Sequence, residues 1–374
     1  EFAFVSTNSI CQGQPVPAMF KPLFSMGWHI RFAHRTFVWG SQADDEAHVH
    51  VVILGFSKRP GRLTTYSYDT GGVSVEHPDN INAYLLNAPN VFVEKRMSPL
   101  FQDIFPMVIG GKPADGGFFQ IKTRREYEEI LKDPVAAKYV VPSLGAQELI
   151  NGKERWCLWL ADTPPQEIKK SSVLRQRVQG VRDFRASSKK AATRKLADEP
   201  WRYAEVRRPD GPFLCIPRHF SGGRKYFTVK RCTGGEVATD ACFFADDPDG
   251  LLFGIISSSI FMKWQRAVGG ELKSDCRFSN TIVWNNFPLP DLSVNGRSAI
   301  VDAAQKVIEA RAGYDGASLA DLYKPGDEFL YPRLFAAHEE LDAAVEAAYG
   351  IDFDGDESKT VAHLFELYAE KAGA

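Results

Sequence analysis

EFAFVSTNSICQGQ, residues 1–14, begins with the uninterrupted apolar run Phe2-Ala3-Phe4-Val5 and then turns polar. An apolar run without alternation is typical of a strand at the centre of a parallel sheet, where helices cover both faces. Such a strand needs neighbours, so we expect part of its sheet to come from a longer protein, in front of Glu1. The sequence therefore predicts that this strand belongs to the last part of a sheet whose earlier strands lie upstream.

The elements that follow complete the end of an open α/β sheet. Pro15 and Pro17 mark the start of a short amphipathic helix, and Gly27 ends it. Residues 28–39 (WHIRFAHRTFVW) and 48–57 (HVHVVILGFS) have the patterns of two strands. The polar loop between them is too short for a helical crossover, so we expect the two strands to be antiparallel.

The character of the sequence changes after residue 65, and three units are predicted. Residues 66–290 contain short apolar runs with glycine and proline between them and a basic helical pattern at 171–200, as in a mixed α+β domain. Further on, amphipathic alanine-rich stretches predict helices. We therefore predict an α/β unit at 1–65, an α+β unit at 66–290 and a helical unit at 291–374.

Familiar catalytic, metal-binding and targeting motifs are absent from the sequence. It contains no G-x-x-x-x-G-K-[ST], no G-x-G-x-x-G after a strand, no H-E-x-x-H and no G-x-S-x-G. The six cysteines are scattered without a C-x-x-C pair, which favours reduced thiols over disulfides or a zinc site. No apolar run of membrane-spanning length and no leader pattern occurs. We expect a cytoplasmic protein with no metal, no membrane partner and no catalytic residue in this chain.

The charge is unevenly distributed along the chain. Residues 169–231 hold 18 Lys or Arg against 5 Asp or Glu, whereas residues 291–374 hold 7 against 17. This asymmetry indicates a middle region that binds a polyanion and an acidic, solvated tail. The alternative is two solvated surfaces that differ in charge.

The basic helical pattern supplies candidates for contacts with DNA phosphates. Arg182 follows Arg175 by two helical turns, so the two side chains share one face. The residues that we expect to contact phosphate oxygens are Arg175, Arg182, Arg185, Lys189, Lys190 and Thr193.

Two charged pairs are candidates for reading bases. Glu205 with Arg207, and Lys273 with Asp275, are each spaced i, i+2, which puts both side chains on one face of an extended segment. From spacing alone, a surface ion pair is the favoured interpretation of each pair. Reading of DNA bases is the alternative.

Several stretches resemble the MmeI-type (type IIG/IIL) single-chain restriction–modification enzymes. The resemblance rests on AFVSTNSICQGQPVP (3–17), IRFAHRTFVWGSQA (30–43) with AHVHVVILGF (47–56), LINGKERWCLWL (149–160) and ELKSDCRFSNTIVWNNFPLP (271–290). It covers essentially the whole chain, and the matches occur in the order of the family. These enzymes join a nuclease, a helical spacer, an adenine-N6 DNA methyltransferase, a target recognition domain and a helical C-terminal domain.

The resemblance implies that the chain is a C-terminal fragment of such an enzyme. Residues 1–65 would be the end of a Rossmann-like methyltransferase sheet, 66–290 the target recognition domain and 291–374 the C-terminal helical domain. The glycine-rich S-adenosyl-L-methionine motif and the Asn-Pro-Pro motif would lie upstream, since the one Pro-Pro here, Pro164-Pro165, has a different context. We therefore expect double-stranded DNA as partner and the cofactor only in the intact bacterial enzyme. The fragment alone is expected to bind no cofactor and to be inactive.

The resemblance also implies roles for particular side chains. It places the segment of Phe37 and Trp39 near an adenine flipped out of the duplex, where either ring could stack on the base; packing in the core is an equal alternative for one of them. It further implies that Lys273 and Asp275 together read one G·C pair.

Two other functions are compatible with the residues. One is a stand-alone sequence reader similar to a type I specificity subunit, without a catalytic role. The other is a small-molecule enzyme with an unfamiliar site. An assay of DNA binding in the presence of a competitor polyanion distinguishes the small-molecule enzyme from both DNA-binding alternatives.

Overall fold

The computed structural model describes residues 1–40, 49–69, 71–100, 104–272 and 275–373. Its first group of elements forms a five-stranded sheet with one helix. These elements are β1 (Phe2–Thr7), α1 (Pro15–Ser25), β2 (His29–Trp39), β3 (Val49–Ser57), β4 (Thr64–Asp69) and β5 (Gly72–Glu76). Pro15 begins α1 because its fixed φ suits the first helical turn, and Gly27 follows the helix end with φ of +79°.

The sheet has the strand order β1-β3-β2-β4-β5. The predicted antiparallel pairing of β2 with β3 is confirmed, and β3 is also antiparallel to β1. Since β4 is parallel to β2, the strands β1, β2 and β4 all end at the same edge of the sheet. The predicted boundary at residue 65 falls within β4, whose hairpin with β5 belongs to this sheet.

The expectation that residues 2–9 form a central parallel strand with both faces buried concerns neighbours outside this chain and stays a prediction. Strand β1 lies at the end of the described sheet and is antiparallel to its neighbour β3. Phe2 and Phe4 stack on Phe56, at ring distances of 4.9 and 5.6 Å, on the face that α1 covers. Val5 points to the opposite face and is 53% exposed.

The middle part of the chain is mixed α+β, as predicted. Its first elements are β6 (Val108–Ile109), β7 (Gln120–Ile121), α2 (Arg124–Leu131), β8 (Val140–Leu144), α3 (Ala146–Asn151), β9 (Trp156–Leu158), α4 (Pro165–Lys170), α5 (Ser172–Ala186) and α6 (Ala191–Lys195). The others are β10 (Phe213–Pro217), β11 (His219–Ser221), β12 (Lys230–Cys232), β13 (Val237–Ala238), β14 (Cys242–Asp246), α7 (Leu251–Ile256), α8 (Ser259–Val268), β15 (Gly270–Leu272) and β16 (Asp275–Arg277).

The described strands of this part form three small sheets, β13-β8-β9-β7, β12-β10-β14-β6 and β11-β16-β15. The predicted helical pattern at 171–200 divides into α5 and α6, with residues 187–190 between them. Helices α7 and α8 are separate although the sequence from 249 to 270 is largely apolar, because the Ser258 hydroxyl accepts a hydrogen bond from the Phe261 amide and starts a new helix.

The C-terminal part is helical, as predicted. It consists of α9 (Val294–Ala312), α10 (Leu319–Leu322), α11 (Pro332–Tyr349) and α12 (Glu357–Ala372). Helix α12 packs on α8, where Trp264 lies 5.5 Å from Phe365 and 5.9 Å from Tyr368 between ring centroids. The same continuous core reaches Phe20 in α1, so it joins all three parts of the chain. None of the described helices has the length and apolar character needed to cross a bilayer.

Candidate DNA interface

Strand β16 presents alternate side chains to solvent. It pairs with β11 on one side and β15 on the other. Asp275 and Arg277 are exposed, whereas Cys276 and Phe278 are buried in the core. The predicted partner of Asp275, Lys273, lies outside the described residues. Sequence reasoning missed Arg277, although the same i, i+2 spacing places it on the outward face with Asp275.

An open cavity of about 640 Å³ lies beside this strand. Its wall on the side of the first sheet is the segment after β1, including Ser9, Gln12 and Gln14. Its opposite wall includes Arg218 and Arg277. His219 lies opposite Arg277 on the neighbouring strand. Burial, followed by the charges of these two guanidinium groups, lowers the pKa of His219, so its ring is neutral at pH 7. The cavity thus combines cationic and amide groups suited to a nucleic acid.

The cavity lies at the edge of the sheet where β1, β2 and β4 end. Ligands of α/β proteins bind outside the carboxyl ends of parallel strands, because the loops there can vary without disturbing the sheet. The segment after β1 belongs to this edge and also lines the cavity. The sheet edge and the outward face of β16 therefore meet at one place.

Aromatic rings form a row at the same edge of the sheet. A register shift between His34 and Phe37 puts both on one face. Phe37 lies 4.8 Å from Tyr68 and 6.2 Å from Trp39 between ring centroids. The His34 Nδ1 and the Tyr68 hydroxyl are hydrogen-bonded at 2.6 Å, and His34 stacks on Tyr66 at 4.3 Å. Trp39 remains 49% exposed, so its ring has a free surface on which a base could stack.

The exposed face of α5 carries two of the predicted phosphate-binding arginines. Arg175 and Arg182 are both exposed, and the Arg175 side chain donates to the Lys169 carbonyl. Arg182 forms no ion pair with any residue that the structure describes. Lys189 and Lys190 follow the helix end and are also exposed, whereas Thr193 in α6 is half-buried. The first four side chains form a cationic surface accessible to a phosphate backbone, with Thr193 at its border.

The prediction that Arg185 contacts phosphate is wrong, because this side chain is 1% exposed. Its guanidinium donates five hydrogen bonds to backbone carbonyls at 2.6 to 3.1 Å. The acceptors are the carbonyls of Pro113, Ala114, Leu196, Glu199 and Arg202. Arg185 extends the buried stripe of α5 that begins with Leu174 and Val181. It joins two backbone segments to α5 and has no donor left for DNA.

Glu205 and Arg207 share a face, as their spacing predicted, and bind each other. The Arg207 Nη2 lies 2.8 Å from the Glu205 Oε2, and the two side chains are 36% and 42% exposed. Arg207 also donates to the Ile109 carbonyl at 3.2 Å. The geometry is that of a surface ion pair, the alternative that spacing favoured, and base reading by this pair stays a prediction.

No group of three or more His, Cys, Asp or Glu side chains able to hold a metal occurs in the described ranges. The interface thus offers cationic, amide, carboxylate and aromatic groups, which are the groups that bind nucleic acids. These groups lie beside the end of an α/β sheet, which is the arrangement expected of a nucleic-acid interface.

Comparison with known proteins gives the family. The profile described as "MmeI, DNA-methyltransferase domain" matches residues 1–67, "MmeI, target recognition domain" matches 87–291, and "MmeI, C-terminal domain" matches 293–373. The solved structure of the type IIL restriction-modification enzyme MmeI in complex with DNA is 34% identical with a TM-score of 0.89 and covers 100% of this chain and 50% of that chain. The chain belongs to the MmeI family.

A curated relative gives the same picture. DNA methyltransferase A of Bacillus subtilis (strain 168) is 32% identical over 369 residues, which are 98% of this chain and 41% of that protein. The chain therefore spans less than half of the length of this relative. Its residues correspond to the end of a methyltransferase domain, a target recognition domain and a C-terminal domain.

Proposed function

We propose that this chain recognises a specific double-stranded DNA sequence for an adenine-N6 methyltransferase that takes part in restriction–modification. The observation that carries the proposal is the meeting of the outward face of β16 with the carboxyl edge of the first sheet, at one open cavity. The likeness to MmeI, whose structure was solved in complex with DNA, supports it. The proposed units are residues 1–65, 66–290 and 291–374.

Base reading in this proposal comes from the exposed side chains of extended segments. Lys273 donates to O6 or N7 of guanine, while the Asp275 carboxylate accepts from N4 of the paired cytosine. Arg277 shares the outward face with Asp275 and is well placed to add a second donor. Glu205 and Arg207 contribute if their ion pair opens against a base pair.

Backbone binding comes from the cationic surface of Arg175, Arg182, Lys189 and Lys190. These side chains release counterions from the duplex and set its orientation without reading its sequence. Thr193 adds a hydroxyl donor at the border of this surface. Arg185 is omitted because it is buried and its donors are used.

Methylation of adenine N6 requires that the base leave the duplex, because the amino group is paired and stacked inside it. Phe37 and Trp39 lie at the edge of the sheet where the flipped base would arrive, and Trp39 offers an exposed ring. We assign them the stacking wall of the base pocket. The hydrogen bond between His34 and Tyr68 helps to hold Phe37 in place.

The residues of this chain do not make a site for S-adenosyl-L-methionine. The sequence has no glycine-rich loop after a strand and no Asn-Pro-Pro motif. The segment after β1 is instead tied by its amides to β15. The cofactor, when bound, supplies the methyl group, and we propose that other domains of a longer protein hold it.

A further observation supports such domains. On the face of the sheet opposite α1, Val5, Val73 and Val75 are 53%, 55% and 52% exposed, beside Tyr68 at 39%. Val5 lies in β1 and the other two valines in β5, at the two edges of the described sheet, and exposed apolar side chains on a sheet face are normally covered by another layer. We propose that the rest of the methyltransferase domain covers this face.

The proposal is tested by sequencing the methylated sites of genomic DNA from cells that express the intact enzyme. We expect adenine methylation at one defined sequence, and absence of methylation would contradict the proposal. Calorimetric titration of this chain alone should show no binding of S-adenosyl-L-methionine. A stand-alone reader, the second candidate, would bind its site as this chain alone while the intact protein methylates nothing.

A further inference from the structure

Glu271 in β15 links the two walls of the cavity. Its Oε2 accepts a hydrogen bond from the Asn8 side-chain amide at 3.1 Å and another from the Gln12 side-chain amide at 2.9 Å. The backbone amide of Gly13 donates to the Val268 carbonyl at 3.1 Å, just before β15 begins. The segment after β1 is thus fastened to β15 by side chains and backbone together.

The two ends of this link have different places in the proposed reaction. Asn8 and Gln12 follow β1 at the carboxyl edge of the sheet, the edge at which β2, the strand of Phe37 and Trp39, also ends. Glu271 pairs with Cys276 across the hairpin, and the neighbouring positions on β16 are Asp275 and Arg277. Glu271 is therefore a direct side-chain link between the sheet edge and β15, the strand that pairs with β16.

The choice of partners by Glu271 is informative. Arg218 and Arg277 line the same cavity, yet the carboxylate forms no ion pair with an arginine of the described residues. It binds two neutral amides and leaves both guanidinium groups available for DNA. The Gln12 amide oxygen is buried without a hydrogen-bond partner, so Glu271 is what orients this side chain.

We propose that Glu271 is a positioning residue that couples base reading on β16 to the placement of the target adenine at the sheet edge. The inference rests on the proposed function. It predicts that the contact with Asn8 and Gln12 contributes to the rate of methylation at the correct site and not to the affinity for DNA.

The experiment compares Glu271→Ala, Glu271→Gln and Glu94→Ala in the intact enzyme. Glutamine keeps an oxygen that can accept from both amides, so it should restore most of the function lost in the alanine variant. Glu94 is the matched control, because it forms an exposed ion pair with Lys21 of α1 at 2.7 Å and lies outside the cavity lining. The measurements are kcat, KM and DNA affinity on the correct site and on sites with one changed base pair.

We expect Glu271→Ala to lower kcat on the correct site by about 10-fold at unchanged DNA affinity. The ratio of the rate on the correct site to the rate on sites with one changed base pair should fall by the same factor. Fluorescence of 2-aminopurine at the target position should show less flipping. An Asn8→Ala change added to Glu271→Ala should cost little more, since both remove the same contact.

Unchanged discrimination in Glu271→Ala would overturn the inference while leaving the proposed function intact. A parallel loss of thermal stability and of affinity for every DNA would reduce Glu271 to a local structural role, which also contradicts it. If the unchanged enzyme methylates no site, the proposed function fails, and this inference fails with it.

Discussion

Replacing Arg185 by alanine should strongly destabilise the chain. The change removes five hydrogen bonds from a guanidinium that is 1% exposed. A buried carbonyl that loses its donor costs about 1 kcal/mol or more, and water entering the vacated space restores part of this. We expect the free energy of unfolding to fall by about 4 kcal/mol, because five acceptors are affected at once. Arg185→Lys should recover little, since one ammonium cannot reach five carbonyls in two backbone segments.

Arg182→Ala is the matched control, because it removes a guanidinium from the same helix on its exposed side. Its effect on the free energy of unfolding should stay within about 0.5 kcal/mol. The two variants are compared by thermal unfolding and by the salt dependence of DNA binding. Arg185→Ala should lower Tm by roughly 5 °C without altering the salt slope of the folded protein. Arg182→Ala should keep Tm and reduce the slope by about one.

The opposite pattern would refute this reasoning. If Arg185→Ala kept its Tm and reduced the salt slope of DNA binding by one, the Arg185 side chain of the unchanged protein would contact phosphate. The five carbonyls would then not depend on its donors. If Arg182→Ala left the slope unchanged at low salt, the exposed face of α5 would point away from the duplex.

Three further predictions concern the base pocket, base reading and pH. Phe37→Ala and Trp39→Ala in the intact enzyme should each lower kcat for methylation by about 10-fold or more at unchanged DNA affinity, because a stacking surface is lost; a loss of Tm without a kinetic effect would assign the ring to packing. Lys273→Glu combined with Asp275→Arg should alter one position of the methylated sequence, since a good bidentate contact gives about 1–3 kcal/mol of discrimination. Sequencing that finds the same methylated sequence before and after this change would return both residues to a surface ion pair. Burial, with the Arg311 charge as the next cause, lowers the pKa of His338, so the unfolded chain binds a proton that the folded chain does not. Stability should therefore be complete above the usual histidine pKa of about 6.5 and fall as the pH falls below it, and His338→Phe should flatten this dependence in urea unfolding.

Local patterns were sufficient for part of the fold. The patterns of β2 and β3 and the short connection between them predicted an antiparallel pair, because strand period and loop length are properties of adjacent residues. The cover of β1 could not be predicted in the same way, because an apolar run does not specify what packs on each of its faces. Phe2 and Phe4 pack on Phe56, whereas Val5 meets no described layer.

Helix α5 shows, within the interface, the same difference between what local sequence predicts and what depends on packing. Arg175 and Arg182 are exposed, and their contact with phosphate stays a prediction, whereas Arg185 is buried; positive charge alone could not separate the three. The separation depends on carbonyls of residues 113–114 and 196–202, which only the folded chain brings to Arg185. A signal was nevertheless present, because Leu174, Val181 and Arg185 follow the spacing of one helical face.

The alternation of β16 has a consequence for how such a protein changes over time. Cys276 and Phe278 anchor the strand in the core, while Asp275 and Arg277 contact no part of it. Substitutions at the outward positions should therefore hardly change the energy of folding. If β16 reads bases as proposed, new sequence preferences can arise by single substitutions through folded intermediates.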